Sequence, residues 1–259
     1  MATPTGKFIW YTLNTSDTEA ARNFYNSVIG WTTHDLHGDG RPSYTVFEAD
    51  GIGIGGMLKL DEQEALAEGI PPHWIGYLAV ESVDAAADSI ARAGGFIHHA
   101  PETISGIGRF ATVSDPQGAA FIIFKPDPGE QRPATALGTQ GHVGWHELHA
   151  VRWQTAFPFY EHQFGWTKST AHDMGAMGIY QLFALGGADV GGMCDKQASM
   201  PAPFWLYYFN VVDINQAARR VGEAGGKILN GPHPVPGGSW ILQCSDPQGA
   251  MFALVAPGA

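Results

Sequence analysis

The sequence is poor in cationic residues and in cysteine, and it has no long hydrophobic run. Its 259 residues include 14 Lys and Arg against 25 Asp and Glu, a formal net charge of −11, which argues against nucleic acid and anionic membranes as partners. Cys194 and Cys244 are too few for a disulfide framework, and with no histidine beside them in the sequence they are predicted to be buried and inert. The N-terminal residues have no signal-peptide core. These absences predict a soluble, cytoplasmic protein.

What the sequence does contain is one set of motifs that occurs twice in the same order. The motifs of the first copy are Phe24-Tyr25, Gly30-Trp31, Gly55-Gly56-Met57, Ala93-Gly94-Gly95 and Ser114-Asp115-Pro116-Gln117-Gly118-Ala119. Those of the second copy are Phe159-Tyr160, Gly165-Trp166, Gly191-Gly192-Met193, Ala224-Gly225-Gly226 and Ser245-Asp246-Pro247-Gln248-Gly249-Ala250. The offset is 135 residues at the first two motifs, 136 at the third and 131 at the last two. The chain is therefore a tandem duplication, and we expect its function to lie in or between the copies.

Each copy predicts a strand, a helix and several strands, followed by a related strand–helix–strand run. In the first copy, Ser16-Asp17-Thr18-Glu19 has the spacing of a capping box and Gly30 is placed to end the helix. In the second copy, Pro158 predicts a helix that starts late or kinks. A stretch rich in Pro, Gly, Ala and Thr separates the copies. The predicted boundaries are 6–126 for domain 1, 127–140 for a linker and 141–257 for domain 2.

The arrangement of these motifs resembles the vicinal oxygen chelate superfamily. The shared features are Phe-Tyr and Gly-Trp on a helix after the first strand, and a late Asp-Pro-x-Gly turn before the final strand, over nearly all of both copies. This superfamily includes glyoxalase I, extradiol dioxygenases, fosfomycin-resistance enzymes and bleomycin-binding proteins. The resemblance implies an α+β fold, in which four βαβββ-type units form cupped mixed sheets that bind a small ligand, often with a divalent metal.

The same resemblance places metal ligands at four positions, two on first strands and two on last strands. The first position lies seven residues before Asp17, and the second is its equivalent in copy two. The other two lie seven residues after Asp115 and seven residues after Asp246. The four positions are occupied by Trp10, Trp145, Ile122 and Ala253. Such side chains cannot hold a divalent cation. We therefore predict no metal cofactor at the family's usual site, and leave open a divalent metal bound by residues elsewhere.

Strand positions two residues apart share one face, and here they predict an apolar, aromatic ligand site. The predicted lining residues are Trp10, Thr12, Asn14, Ile122, Trp145, Glu147, His149, Met251 and Ala253. Such a lining suits an organic ligand with flat or apolar parts, which the two tryptophans could stack against. The alternative is that both tryptophans fill the cup and leave little cavity.

Glu147 and His149 are the candidate catalytic residues. A carboxylate two residues from an imidazole on one strand face could act as a general acid/base pair. The two residues could also hold a metal if a third ligand came from Glu48 or His142. The alternative is a hydrogen-bonded polar pair without a chemical role.

Three functional hypotheses follow from these patterns. The leading one is a metal-independent small-molecule-binding protein, a monomer or homodimer whose partner is a small organic molecule. The second is a lyase, isomerase or dioxygenase-like enzyme with a relocated acid/base or metal site at Glu147 and His149. The third is a protein-interaction module whose cup is filled. An open cavity without metal would support the first, loss of activity in Glu147→Gln the second, and the absence of a cavity the third.

Overall fold

The computed structural model describes residues 5–36, 43–61, 63, 69–128 and 138–258. The first copy contains β1 (Phe8–Thr15), α1 (Thr18–Ile29), β2 (Thr32–Leu36), β3 (Tyr44–Ala49), β4 (Ile52–Lys59), β5 (His73–Ala79), α2 (Val83–Arg92), β6 (Phe96–Ile104), β7 (Gly108–Ser114) and β8 (Ala120–Pro126). The second copy contains β9 (Val143–Ala150), α3 (Trp153–Phe164), β10 (Thr167–Asp173), a 3₁₀ turn (Gly175–Met177), β11 (Ile179–Leu185), β12 (Ala188–Asp195), β13 (Phe204–Asn210), α4 (Ile214–Glu223), β14 (Lys227–Pro234), β15 (Trp240–Ser245) and β16 (Met251–Ala256). Most of the predicted linker, at 129–137, lies outside the described residues.

The strands form two mixed sheets of eight strands each. Their orders are β2-β3-β4-β1-β5-β8-β7-β6 and β10-β11-β12-β9-β13-β16-β15-β14. The second order repeats the first with every strand number raised by eight, so the duplication seen in the sequence is also a duplication of topology. The α+β fold of four βαβββ-type units is thereby confirmed. Within the described ranges, no helix has both the length and the apolar character needed to cross a membrane.

The first helix of each copy starts at an equivalent residue, but the two starts are capped differently. The side chain of Asp17 accepts a hydrogen bond from the amide of Ala20 at the start of α1. Arg152 precedes α3 and makes no such cap, and its own amide donates to Oε1 of Gln117 at 2.9 Å. This outside cap supports a start at Trp153, so the predicted late start is wrong, while the alternative of a kink at Pro158 stays a prediction.

The structure divides into two compact units, and each unit combines parts of both copies. The first unit comprises Met1–Trp10, Ile75–Ala134 and His146–Trp205. The second unit comprises Tyr11–Trp74, Thr135–Trp145 and Leu206–Ala259. This division describes packing, whereas the boundaries at 6–126 and 141–257 describe the duplication and stay a prediction.

Inside the first compact unit, the duplicated motifs bond to one another across the copies. The hydroxyl of Tyr160 donates to Oδ2 of Asp115 at 3.0 Å and accepts from Nε1 of Trp205 at 3.2 Å. The indole of Trp166 donates to the carbonyl oxygen of Gly6 at 2.9 Å. Tyr160, Trp166 and Asp115 are all fully buried, so these bonds satisfy polar groups that have no access to water.

The second compact unit repeats this network with the roles of the copies exchanged. The hydroxyl of Tyr25 donates to Oδ2 of Asp246 at 3.1 Å and accepts from Nε1 of Trp74 at 2.8 Å. Nε1 of Trp31 donates to the carbonyl oxygen of Gly141 at 2.9 Å. The Phe-Tyr, Gly-Trp and Asp-Pro-Gln-Gly motifs are thus repeated in the sequence because each unit needs a complete set drawn from both copies.

Candidate functional site

The register of two parallel strands in the first compact unit brings a carboxylate, an imidazole and a thiol together. On β9 and β12, Glu147 lies opposite Gly192 and His149 lies opposite Cys194. Residues two apart on a strand share one face of the sheet, so Glu147 and His149 are neighbours on that face. The prediction that these two residues form a pair rested on this alternation alone, and the structure brings them together.

Glu147 and His149 are buried and in contact. Their side chains are each 8% exposed, and Nε2 of His149 lies 2.7 Å from Oε1 of Glu147. The contact lacks the geometry of a hydrogen bond, so Nε2 has no hydrogen-bond partner among the described residues. The other carboxylate oxygen, Oε2, accepts a hydrogen bond from the hydroxyl of Tyr180 at 2.8 Å. The site therefore combines a buried charge with a phenol and an imidazole nitrogen that retains hydrogen-bonding capacity.

Cys194 completes the cluster and departs from the expectation of a buried thiol far from any histidine. Its Sγ lies 3.7 Å from Nδ1 of His149. The two residues are 45 positions apart in the chain, and the pairing of β9 with β12 brings them together. The thiol is half-buried. Burial raises its pKa strongly, and the charges of Glu147 and Asp195 raise the pKa further. Cys244 does follow the expectation, since it is fully buried and burial raises the pKa of its thiol to about 12.

An aromatic ring lies against the imidazole of the cluster. The rings of His149 and Phe204 are stacked with centroids 4.7 Å apart and an angle of 12° between their planes. Together with the Tyr180 ring, this gives the polar cluster flat apolar surroundings. Neither Phe204 nor Tyr180 was identified from the sequence as a site residue.

The Gly-Gly-Met motif is explained by the tyrosine of the site. A Cβ atom added at Gly192 would overlap the ring of Tyr180, and a Cβ at Gly56 would overlap the ring of Tyr44 in the equivalent place of the first copy. Glycine is therefore required for the tyrosine ring to lie on the strand. In the sequence, a Gly-Gly pair repeated inside a strand indicates that a neighbouring ring approaches the backbone closely.

The first copy has an equivalent cluster, in the second compact unit, that lacks the carboxylate and the imidazole. Thr12 and Asn14 occupy the positions of Glu147 and His149, and Oγ1 of Thr12 lies 3.0 Å from the hydroxyl of Tyr44. Nδ2 of Asn14 lies 3.2 Å from Nε2 of His73, whose Nδ1 lies 2.8 Å from the carbonyl oxygen of Pro71. Burial lowers the pKa of His73. A neutral imidazole that donates from Nδ1 and accepts at Nε2 satisfies both contacts.

The other predicted lining residues differ in how far they are buried. Ile122 is 6% exposed and belongs to a core cluster with Ile75 and Phe124. Trp10 and Ala253 are buried, while Trp145 and Met251 are half-buried. Their assignment as ligand-binding residues stays a prediction.

The residues present do not fit the divalent metal that the resemblance implies. Trp10, Trp145, Ile122 and Ala253, at the positions of the family's ligands, have no side-chain atom that binds such a cation. Over the part of the chain that the structure describes, no group of three or more His, Cys, Asp and Glu side chains is arranged to hold a metal ion. Glu48, which the sequence offers as a third ligand, contacts Nδ1 of His34 at 3.2 Å.

Comparisons with known proteins agree with the fold. The family model for the Glyoxalase/Bleomycin resistance protein/Dioxygenase superfamily matches residues 7–123 and 141–254. "Putative glyoxylase CFP32" of Mycobacterium tuberculosis is 31% identical over 250 residues, covering 96% of this chain and 94% of its own. "Anthracycline biosynthesis protein DnrV" of Streptomyces peucetius is 29% identical over 257 residues, covering 95% and 91%.

Two solved structures share the fold at low sequence identity. The Mn(II)-bound glyoxalase from Novosphingobium aromaticivorans has a TM-score of 0.65 at 18% identity, and the match covers 98% of this chain and 82% of that one. Homoprotocatechuate 2,3-dioxygenase from Brevibacterium fuscum, with 3,4-dihydroxyphenylacetate bound, has a TM-score of 0.67 at 14% identity, covering 100% and 82%. These likenesses concern the fold alone.

Proposed function

Since the chain belongs to the Glyoxalase/Bleomycin resistance protein/Dioxygenase superfamily, we propose that it is a metal-independent binding protein for a small organic molecule. Glu147, His149 and Tyr180 bind the polar groups of this molecule. Flat aromatic parts of the ligand pack against the neighbouring rings, among them Phe204.

The observation that carries this proposal is the burial of a carboxylate beside an imidazole that the fold does not need. Burying such polar groups costs free energy of desolvation, and their replacement by less polar residues is often neutral for stability. The first copy has the same strand and the same tyrosine, yet it places Thr12 and Asn14 where the second copy has Glu147 and His149. The presence of this pair in only one copy supports a functional role there, because the structural role is met without it.

The chemistry of the cluster favours a planar ligand with hydroxyl groups. A carboxylate accepts hydrogen bonds from hydroxyls, and charge-assisted bonds of this kind are the strong ones. The stacked rings of His149 and Phe204 provide a flat apolar neighbourhood. One relative is named for anthracycline biosynthesis, and anthracyclines are planar polycyclic compounds that carry hydroxyl and carbonyl groups. This supports a polycyclic aromatic compound as the ligand class.

The proposal of metal independence is supported by the side chains at the family's ligand positions. Trp10, Trp145, Ile122 and Ala253 offer only indole and aliphatic surfaces. Such residues favour apolar contact with an organic ligand over coordination of a cation.

Titration calorimetry with doxorubicin, an anthracycline, in a buffer containing EDTA tests the proposal. Glu147→Gln is expected to weaken binding by about tenfold or more, because a hydrogen bond to a charged group is lost. Glu48→Gln is the matched control, since Glu48 also contacts a histidine but lies in the other compact unit. Equal affinity in the wild type and Glu147→Gln, or no binding by the wild type, would contradict the proposal.

A second candidate function is proton transfer by the same pair, as in a lyase or isomerase. The distance of 2.7 Å between Nε2 of His149 and Oε1 of Glu147 favours it, because an imidazole beside a carboxylate is a common general base. This function requires that a bound compound be converted, which mass spectrometry of the recovered ligand detects. If doxorubicin and its aglycone are recovered unchanged, binding without turnover is retained for this ligand class.

A further inference from the structure

The imidazole of His149 lies between a thiol and a carboxylate. Sγ of Cys194 is 3.7 Å from Nδ1 of the ring, and Oε1 of Glu147 is 2.7 Å from Nε2. A thiol at this distance can pass its proton to a neutral Nδ1, and a carboxylate on the other side stabilises the imidazolium that forms. The same order of groups, nucleophile, base and carboxylate, recurs in hydrolases of unrelated folds.

The three groups occur together in one copy and are all missing from the other. On the equivalent strands of the first copy, Asn14 lies opposite Leu58 and Thr12 lies opposite Gly56. Leu58 therefore occupies the position of Cys194. Asn14 and Thr12 occupy the positions of His149 and Glu147. The fold is built without any of these three side chains, so their joint presence in the second copy points to a shared chemical task.

We propose that Cys194 is a nucleophile that binds an aldehyde ligand reversibly as a hemithioacetal, with His149 as the base. Sγ attacks the carbonyl carbon, the C–S bond forms and the π bond of the carbonyl group breaks. The thiol proton passes to Nδ1 of His149 and from there to the carbonyl oxygen, which becomes a hydroxyl group. The addition is complete without an oxidant, a reductant or a leaving group. It deepens the binding function proposed above, and it rests on that function.

The surroundings of Cys194 favour a carbonyl compound over electrophiles that leave a charge behind. Burial and the nearby carboxylates of Glu147 and Asp195 keep the thiol protonated at neutral pH, because they raise its pKa. A free thiolate is therefore disfavoured here. Addition across a carbonyl group consumes both the sulfur and its proton, so the adduct is neutral. The stacked ring of Phe204 beside His149 favours an aromatic aldehyde.

Carbon-13 NMR with benzaldehyde labelled at the carbonyl carbon tests the inference. In the wild type, part of the label is expected to move from the aldehyde region to the region of a carbon bonded to oxygen and sulfur. Cys194→Ala abolishes this signal, whereas Cys244→Ser, the matched control at the other thiol, retains it. His149→Asn slows exchange between the free and bound label by about a hundredfold, the usual scale of general base catalysis. An adduct that persists in Cys194→Ala, or an exchange rate unchanged in His149→Asn, overturns the inference.

A second measurement needs no variant. Infrared difference spectroscopy follows the carbonyl stretch of benzaldehyde in the presence of excess wild-type protein. A hemithioacetal has no carbonyl group, so this band is expected to weaken as the adduct forms. Benzyl alcohol, which cannot form a hemithioacetal, is expected to compete with benzaldehyde and restore the band. A carbonyl band of full intensity at saturation overturns the covalent step.

The failure of this inference differs from the failure of the proposed function. If doxorubicin binds with the dependence on Glu147 predicted above, but benzaldehyde forms no labelled adduct, the covalent inference alone is overturned. If none of these compounds binds to the wild type, both the binding function and the inference are overturned.

Discussion

Tyr180 donates a hydrogen bond from its hydroxyl to Oε2 of Glu147 at 2.8 Å. Its counterpart in the first copy, Tyr44, makes the equivalent contact with the hydroxyl of Thr12 at 3.0 Å. The duplication thus provides an internal comparison, in which one tyrosine meets a buried carboxylate and the other meets a neutral hydroxyl. The difference between the copies is a difference in charge at an otherwise shared position, and it supports the assignment of function to the second copy.

Exchanging the residues of the second copy for those of the first separates function from stability. In the double variant Glu147→Thr/His149→Asn, binding of doxorubicin is expected to be lost. The free energy of unfolding in urea should stay nearly unchanged, because replacing a buried polar pair is often neutral and the first copy holds Thr12 and Asn14 at these positions. The two single variants serve as controls, since each leaves one member of the pair without its partner and should be less stable than the double variant. A double variant destabilised by several kcal/mol would mean that the pair serves the fold.

A methyl group at Gly192 is expected to disturb the site through Tyr180. In Gly192→Ala the new Cβ would overlap the tyrosine ring, so the hydroxyl moves away from Glu147 and affinity for doxorubicin falls by about tenfold. Gly222→Ala is the control, because a Cβ there would meet nothing within 4 Å. It lies in α4 and should leave binding unchanged and stabilise the helix by up to about 1 kcal/mol. Equal affinities in both variants would remove Tyr180 from the site.

The buried networks between the copies are expected to contribute several kcal/mol to the free energy of unfolding. Tyr25→Phe leaves the carboxylate of Asp246 and the indole of Trp74 each without a hydrogen bond that they have now. We expect the free energy of unfolding to fall by about 3 kcal/mol, and Tyr160→Phe should cost a similar amount. Tyr44→Phe, whose hydroxyl contacts that of Thr12, should cost about 1 kcal/mol. Chemical denaturation of the three variants gives the comparison, and equal costs for all three would contradict the account.

Asp246 should make stability depend on pH in a direction opposite to that of an ordinary salt-bridged aspartate. Burial raises its pKa above the usual 3.8, although hydrogen bonds from Ala250 and Tyr25 reduce the shift. The folded state therefore binds a proton before the unfolded chain does. The contribution of Asp246 to the free energy of unfolding is fully present below pH 3.8 and is lost as the pH rises through the folded-state pKa.

Urea denaturation of the wild type and Asp246→Asn over a series of pH values measures this contribution. The difference in unfolding free energy should shift in favour of the wild type as the solution is acidified from about pH 7 to about pH 4. A difference that stays constant, or shifts in favour of Asp246→Asn, would contradict the assignment of a raised pKa.

Much of the fold could be predicted because the duplication exposes it. Local sequence signals predict local geometry. These signals are the glycines after each helix, the Asp-Pro-Gln-Gly turns, and the alternation on β1 and β9. The bond from Tyr25 to Asp246 joins residues 221 positions apart. Neither motif indicates that its hydrogen-bond partner lies in the other copy, because the partner is determined by how the strand–helix units pack.

The candidate site was predictable only in part, for the same reason. Glu147 and His149 follow from a two-residue period on one strand. Cys194 reaches His149 through the register between β9 and β12, and a shift of one residue in that register would place a different side chain there. Phe204 comes from a third strand. The sequence contains the residues of the cluster, but the pairings between strands that bring them together are tertiary information.

The central claim is that an organic ligand binds at Glu147 and His149 without a metal, and one calorimetric experiment addresses it most directly. Wild-type protein is stripped with EDTA, desalted and titrated with doxorubicin, then titrated again after addition of Mn²⁺ or Fe²⁺. Stoichiometric binding to the stripped protein is expected, with a Kd that the metals leave unchanged. Binding that appears only after a metal is added would contradict it.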